Sequence, residues 1–306
     1  MLHIASLSEG LEVFKALGSD VRVEILNILM ENNKIGMNEL AARLEITNGA
    51  LTGHIKKLES CGLISISNES GRHGNQKIYE VHLDKILIEL QNESEEINSY
   101  NAELAVGQYS TYQILPTCGL ASEEKLIGAI DDERYFGHPE RYDAQMIWFQ
   151  NGYVEYSLPN FIPIAHRITQ ISISLELGSG AVEKDNLRPS DIIFYLNNVF
   201  IGGWTSPGVV GAERGLYTPE WWDARWNQYG LLKLLVINQT GTYIDGLKIS
   251  DMNIDMFGLN SKSDIRFRIA THEENENSGG VAIFGREFGN YGQGIKVNIN
   301  YEPIEM

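Results

Sequence analysis

The sequence predicts an α+β chain of two domains, a small helical domain followed by an all-β sandwich. Three observations carry that prediction. At 306 residues the chain exceeds the length that one hydrophobic core usually serves. Composition also changes partway along: helix-forming sequence up to "ILIELQNESEEINSYNAEL" gives way to segments rich in Ile, Val, Tyr, Phe and Trp, punctuated by Gly and Asn. The net charge of −17 changes at the same place, since residues 1–90 hold 9 Lys/Arg against 12 Asp/Glu and the remainder holds 15 against 29. The expected boundaries are 1–90 for the first domain, 91–108 for a helical linker and 109–306 for the sandwich.

The bulk numbers exclude several classes. A hydrophobic share of 43% and a charged share of 21% are those of a folded chain, which argues against extended disorder. No apolar run approaches the roughly 20 residues needed to span a bilayer, and "MLHIASLSEG" lacks a charged stretch followed by an apolar one. A cytoplasmic protein with no membrane partner is expected. The cysteines, Cys61 and Cys118, lie far apart, which argues against a disulfide framework and fits a reducing compartment.

In the first domain, "SDVRVEILNILMEN" offers Ser19 or Asp20 as an N-cap and places Val21, Ile25, Ile28 and Leu29 on one helical stripe. Next, "GMNELAARLEI" reads as a helix of about two turns, capped by Asn38, with Leu40, Ala41 and Leu44 inward. A tight turn at Glu45 and Ile46 leads to Thr47, which caps "NGALTGHIKKLES". Leu51, Ile55 and Leu58 face inward there and leave Asn48, Gly49, Thr52, Gly53, Lys56 and Lys57 facing out. The segment "CGLISISNESGRHGNQKIYEVH" then reads as a strand over Leu63–Ser67, a polar turn with Arg72, His73, Asn75 and Gln76, and a strand over Lys77–His82. Helix, helix, turn, helix and hairpin in this order make a winged helix-turn-helix.

The segments "FKALGSDVRVEIL", "NELAARL" and "LTGHIKKLESCGLI" resemble the ArsR-type family of bacterial repressors over residues 9–90. That resemblance implies a dimer whose third helix enters the major groove while the wing touches the flanking backbone. Short polar side chains at the N-terminal end of such a helix reach base edges, and lysines and helix amides hold phosphates. Asn48, Thr52 and His54 are therefore expected at bases or nearby backbone, and Lys56, Lys57, Arg72 and Lys77 at phosphates. Thr47, Gly49, Gly53, His73 and Asn75 complete the expected face. The family pattern usually carries a long side chain, often Arg, where this sequence has Gly53, so one base reader is missing. The plainer alternative for the Lys56-Lys57 pair is a solvated helix surface.

Many members of that family sense metals, and here the ligands fail. No Cys occurs around "IGMNEL", and "VHLDKILIELQNESEE" has His82 and Asp84 but no later His. Leu83, Ile86, Leu87 and Leu90 of that segment read instead as one side of a dimerisation helix. A two-fold dimer would present its recognition helices one DNA turn apart, ~34 Å, to a palindromic operator.

Beyond residue 108 the expected strands are "YSTYQIL", "AQMIWF", "YVEYSL", "TQISISLEL", "DIIFYL", "VFIGGW", "LLKLLVIN", "TYIDGLKI", "DIRFRIAT", "VAIFG" and "IKVNINYE". In "TQISISLELG" the alternation puts Ile171, Ile173, Leu175 and Leu177 on one face, as in a sheet with one side buried. Many short strands at even spacing suggest a jelly-roll-like sandwich.

The segment from Gly202 to Gly230 holds Trp204, Trp221, Trp222 and Trp226 beside Arg214, Glu220, Asp223 and Arg225. Aromatic faces stack on the apolar faces of sugar rings and planar charged groups bond paired hydroxyls, so a carbohydrate pocket is expected from Trp204, Arg214, Trp221, Trp222, Asp223, Arg225 and Trp226. The competing reading for each Trp is core packing. The aromatic arrangement is similar to carbohydrate-binding modules, and to ArsR-type regulators that carry an added β-rich sensor.

Other constellations carry less. Cys118, Asp131 and His138 have no spacing that ties them into a nucleophile set. Glu155 and Asp223 are two acids among many. "IFGREFGNYGQG" lacks the strand-to-helix context of a phosphate loop, and "HEENENSGG" offers a weak calcium set. The expectation is a non-enzymatic, homodimeric transcription regulator without cofactor, a repressor controlled by a sugar or oligosaccharide. The alternatives are a carbohydrate-active enzyme with an accessory DNA-binding domain, and a regulator whose sandwich docks a protein.

Overall fold

The computed structural model describes residues 2–4, 6–31, 35–71, 74–81, 83, 85–88, 98–180, 188–208, 213–272 and 274–304. The chain divides into two compact units, Met1–Glu96 and Ile97–Met306.

In the first unit, β1 (Leu2–Ile4), α1 (Leu11–Leu17) and α2 (Asp20–Glu31) lead through β2 (Ile35–Gly36) to α3 (Met37–Arg43) and α4 (Asn48–Ser60). The wing follows as β3 (Ser65–Gly71) and β4 (Gly74–Glu80), and β2 joins them in an antiparallel three-stranded sheet. The apolar stripes meet in one core, with Ile25 and Leu29 of α2, Leu40 of α3, and Leu51, Ile55 and Leu58 of α4 all buried. Glu45, at φ 56°, makes the turn between α3 and α4. This is the winged helix-turn-helix the sequence predicts.

Two details differ. Gly36, not Asn38, is the N-cap of α3, and it makes no side-chain capping bond. The stretch read as a dimerisation helix contains β5 (Ile86–Ile88), which pairs in parallel with β1. An Ile-Leu-Ile run satisfies either periodicity, and here the open edge of β1 selects the strand. Leu83 and Ile86 pack against this unit's own core, while His82, Asp84 and Leu90 lie outside the described residues.

The second unit is an all-β sandwich. Its strands are β6 (Asn98–Leu104), β7 (Thr111–Ala121), β8 (Met146–Leu158), β9 (His166–Gly178), β10 (Ser190–Leu196), β11 (Val199–Ser206), β12 (Leu231–Asn238), β13 (Gly241–Ile244), β14 (Leu247–Ser250), β15 (Ile265–Thr271), β16 (Val281–Phe284) and β17 (Ile295–Pro303). One half of the sandwich runs β11-β10-β15-β8-β7 and the other β6-β17-β9-β12-β13-β14. β16 pairs with the ends of both β8 and β9 and so joins the halves. Strands consecutive in sequence are often not neighbours, as in a jelly roll. Ile171, Ile173, Leu175 and Leu177 of β9 meet Val154 and Tyr156 of β8 and Phe194 of β10 in the shared core.

Residues 98–104 correct the expected helical linker. They contain helix formers, yet they pair with β17 from Leu104↔Ile295 to Asn98↔Tyr301, and Tyr100, Ala102 and Leu104 are half-buried at strand period. Tertiary pairing overrides local propensity there. "AQMIWF" and "YVEYSL" are likewise one strand, β8. Gly152 between them sits at φ 115°, and a Cβ on it would lie 1.9 Å from the Gln113 carbonyl oxygen, so the apparent turn is a close approach of β7. Asn197 and Asn198, at φ 47° and 65°, form the tight β10–β11 hairpin. Among the described residues no helix is long and apolar enough to cross a membrane.

Candidate functional site

The helix α4 is built to present one face. Thr47 Oγ1 accepts the Ala50 N–H at 3.2 Å, a side-chain cap that fixes where the helix begins. With Leu51, Ile55 and Leu58 buried, Asn48, Gly49, Gly53 and Lys56 are exposed and Thr52, His54 and Lys57 half-buried. A Cβ on Gly53 would meet nothing within 4 Å, and one on Gly49 only Thr47 Oγ1 at 3.9 Å. Packing within the chain therefore demands neither glycine, although each costs roughly 1 kcal/mol in a helix relative to Ala. What the two positions leave is bare backbone open to close approach.

The polar side chains of this face are partly engaged already. Asn48 Nδ2 donates to Asn38 Oδ1 at 2.8 Å, which ties the first turn of α4 to the start of α3. Thr52 Oγ1 donates back to the Asn48 carbonyl at 2.7 Å, leaving its lone pairs outward. Lys57, expected at a phosphate, instead hydrogen-bonds the Glu12 carboxylate of α1, which also pairs with Lys15 at 2.9 Å. The two ammonium groups, Lys57 first, hold the Glu12 carboxyl down at about 2. Lys56 is the exposed lysine of the helix, and Lys77 is exposed on β4. Asn75 lies on β4 without a described side chain, and Arg72 and His73 lie outside the described residues. The sequence suggests Asn38 as a helix cap and does not single out Glu12, because each acts through a contact between helices that no local pattern marks.

In the sandwich the tryptophans do not assemble into one pocket. Trp222 is 1% exposed, donates its indole N–H to the Asn227 carbonyl at 2.9 Å, and forms a small second core with Trp148, Phe284 and Phe288. Trp226 packs on it edge to face, with ring centroids 4.7 Å apart. Trp204 belongs to β11 and to the main core. There it lies 4.3 Å under the ammonium of Lys233, which pairs with buried Asp245 at 2.8 Å. Arg214 spends its guanidinium on the carbonyls of Pro219 and Glu220, and Arg225 closes on Asp223 at 2.7 Å. The segment satisfies itself, and the packing reading wins for Trp204, Trp222 and Trp226. Trp221 differs: it is 38% exposed and its indole N–H donates to the Glu123 carbonyl.

Glu123 opens onto a surface cavity of ≈ 450 Å³, whose wall also includes Glu124, Lys125, Glu140, Tyr142 and Asp143. Lys125 and Glu140 form an ion pair of 2.8 Å across it. The charged loop that supplies this wall follows no motif, so the sequence offered no signal for it.

The remaining sequence candidates resolve as structure. The backbone N–H of Cys118 donates to Asp131 Oδ1 at 2.9 Å, and burial, with Asp131 beside it, pushes the thiol up to about 12, which disables it as a nucleophile. His138 Nδ1 accepts the Glu140 N–H. Glu155 is bound by Arg268 and Asp223 by Arg225, so the two acids serve separate pairs. Among the described residues no three His, Cys, Asp or Glu gather closely enough to hold a metal ion.

Residues 19–65 match the family model described as winged helix-turn-helix DNA-binding. The first unit is thus a winged helix-turn-helix DNA-binding domain, with α3, the turn and α4 inside the matched span. Among solved structures, HlyU from Vibrio cholerae N16961 is 26% identical over 25% of this chain and 78% of its own, with a TM-score of 0.23. NolR from Sinorhizobium fredii is 21% identical over 24% and 70%, at 0.22. The C-terminal CBM6 of LamC, a marine laminarinase from Zobellia galactanivorans, is 11% identical over 66% and 99%, at 0.29. Superpositions this loose decide nothing about function. Among curated proteins none matches the chain.

Proposed function

We propose that the chain is a dimeric transcription regulator of ArsR type, a cytoplasmic repressor that reads a palindromic operator through α4 and senses a sugar or oligosaccharide through its sandwich. One observation carries the DNA half. A capped helix in a winged helix-turn-helix exposes Asn48, Gly49, Gly53 and Lys56 along one face, with two glycines that the fold itself does not require. Bare backbone lets a helix settle deep in a groove, Asn48 then stands at base edges, and Lys56 and Lys77 stand at phosphates. Most of the chain's excess acid lies outside this unit, in which residues 1–90 hold 9 Lys/Arg against 12 Asp/Glu, so the duplex meets a less repulsive surface than the whole chain would offer.

The sensing half rests on the resemblance to regulators with an added β-rich module and on the presence of a polar cavity in that module. A sugar regulates DNA binding only if it prefers one of two arrangements of the dimer. The test is fluorescence anisotropy of the full chain on fragments of its own upstream region, with and without sugars. Salt-sensitive binding that a sugar relieves is expected. Binding to no fragment would remove the regulator reading.

A further inference from the structure

Glu12 touches α4 twice. Its carboxylate pairs with Lys57 and its backbone carbonyl accepts the Cys61 thiol at 3.4 Å, so the first turn of α1 is fastened to the C-terminal end of the helix proposed to read DNA.

The turn that carries Glu12 leans on β1. Gly10, the N-cap of α1, makes no side-chain capping bond, and a helix of seven residues does not persist alone. Packing supplies what the cap does not. A Cβ on Gly10 would lie 2.4 Å from the Phe14 ring and 2.8 Å from Ile4, so that ring and the buried Ile4 of β1 close directly over the start of the helix. β1 in turn pairs with β5 over three residues, from Leu2↔Ile86 to Ile4↔Ile88. A two-stranded pairing is marginal by itself, so this short ladder is the part of the unit most easily loosened. The chain leaves the unit through β5, the last element described before the second unit starts at Ile97.

We infer that β5, β1 and Glu12 form an autoinhibitory latch on Lys57: while β1 is paired, Glu12 keeps the lysine from phosphate, and loosening of the pair lets the first turn of α1 fray and frees it. The inference rests on the reading of α4 as the DNA-reading helix and adds its regulation. Glu12 is a positioning residue, since it acts on the duplex through Lys57. Coupling of this kind is reciprocal, so bound duplex favours the loosened strand as much as the loosened strand favours duplex.

Anisotropy of the full chain on a mixed-sequence duplex at low salt tests it, because contacts to phosphate do not depend on sequence. Leu87→Pro, which puts a proline in the middle of β5, and Ile4→Ala, which opens the packing over Gly10, are each expected to tighten binding by about two- to fivefold, the range of one exposed ion pair. Destabilisation weakens binding and cannot imitate that gain. With Lys57→Ala in the background the gain should vanish, and combined with Glu12→Gln neither substitution should add to it, since the latch is then already open. A gain that persists without Lys57, or that adds fully to the Glu12→Gln gain, would overturn the relay. Tighter binding in Glu12→Gln but in neither Leu87→Pro nor Ile4→Ala would overturn the part of β1 and β5, and no gain in Glu12→Gln would overturn the latch itself. If the unaltered chain bound no duplex at low salt, the DNA reading would fall and the latch with it.

Discussion

Asn48 at the start of α4 donates its Nδ2 to Oδ1 of Asn38 near the start of α3, at 2.8 Å. The contact spans the two helices of the motif and orients the side chain proposed above to read a base. An Asn amide has two N–H donors and one acceptor oxygen, so this bond takes one N–H of Asn48 and leaves the second N–H and the Oδ1 acceptor for adenine. Asn48→Ala is expected to cost roughly 1–3 kcal/mol of discrimination at one operator position. Asn38→Ala should act in the same direction and more weakly, with the salt dependence unchanged. Competition anisotropy with single-base operator variants measures both, and unaltered base preference in Asn48→Ala would contradict the assigned face.

Glu12 holds Lys57 away from solvent phosphate. Lys56→Ala should therefore flatten the slope of log K against log salt by about 0.9 per protomer, and Lys57→Ala by less. Glu12→Gln releases Lys57 and removes a negative charge beside α4, so affinity for any duplex should rise and the slope steepen. A Lys57→Ala effect as large as that of Lys56→Ala would show that Glu12 gives up the lysine when DNA arrives.

Trp222 and Trp221 are adjacent in sequence and pack edge to face, yet one is buried and the other 38% exposed. Trp222→Ala should destabilise the sandwich by about 3–5 kcal/mol, as expected for a buried indole. Trp221→Ala, at a 38% exposed position, should cost less, the loss of its partial packing on Trp222 and Phe288. Urea unfolding followed through the β-rich unit separates them.

Glu176 of β9 is fully buried and accepts backbone N–H groups from Gly230, Asn290 and Tyr291 at 2.8–3.1 Å. Burial pushes its carboxyl up to about 8, against the pull of those three amides. A carboxyl raised in the folded state binds a proton that the unfolded chain has released. Its contribution is complete below the ordinary carboxylate range, near 4.5, and is lost as pH rises through about 8. The sandwich should thus lose stability across that window, and Glu176→Gln should flatten the profile. Urea midpoints measured from pH 5 to 8.5 check it, and parallel profiles for the two proteins would contradict the assignment.

Much of this was legible in the sequence where local pattern and tertiary environment agree. The stripe Leu51, Ile55, Leu58 and the Thr47 cap specify α4 because both periodicity and capping are local. Alternation specifies β9 for the same reason. Residues 86–88 and 98–104 were misread because an apolar run and a set of helix formers take their conformation from distant partners, β1 and β17. Trp222 and Trp226 look alike in sequence whether they line a pocket or fill a core, and only the position of Trp148 and Phe288 decides. The wall of the cavity combines the loops at residues 122–127 and 140–145, a pairing with no sequence signature.

The most direct test of the central claim is the salt dependence of binding between the full chain and DNA from its own upstream region. Displacement of counterions by Lys56, Lys77 and the α4 amides predicts a linear fall of log K with log salt, with a slope steeper than about −2 for a dimer. Binding that is absent at low salt, or indifferent to salt between 50 and 200 mM, a range over which a slope of −2 means a loss of about sixteenfold, would contradict it.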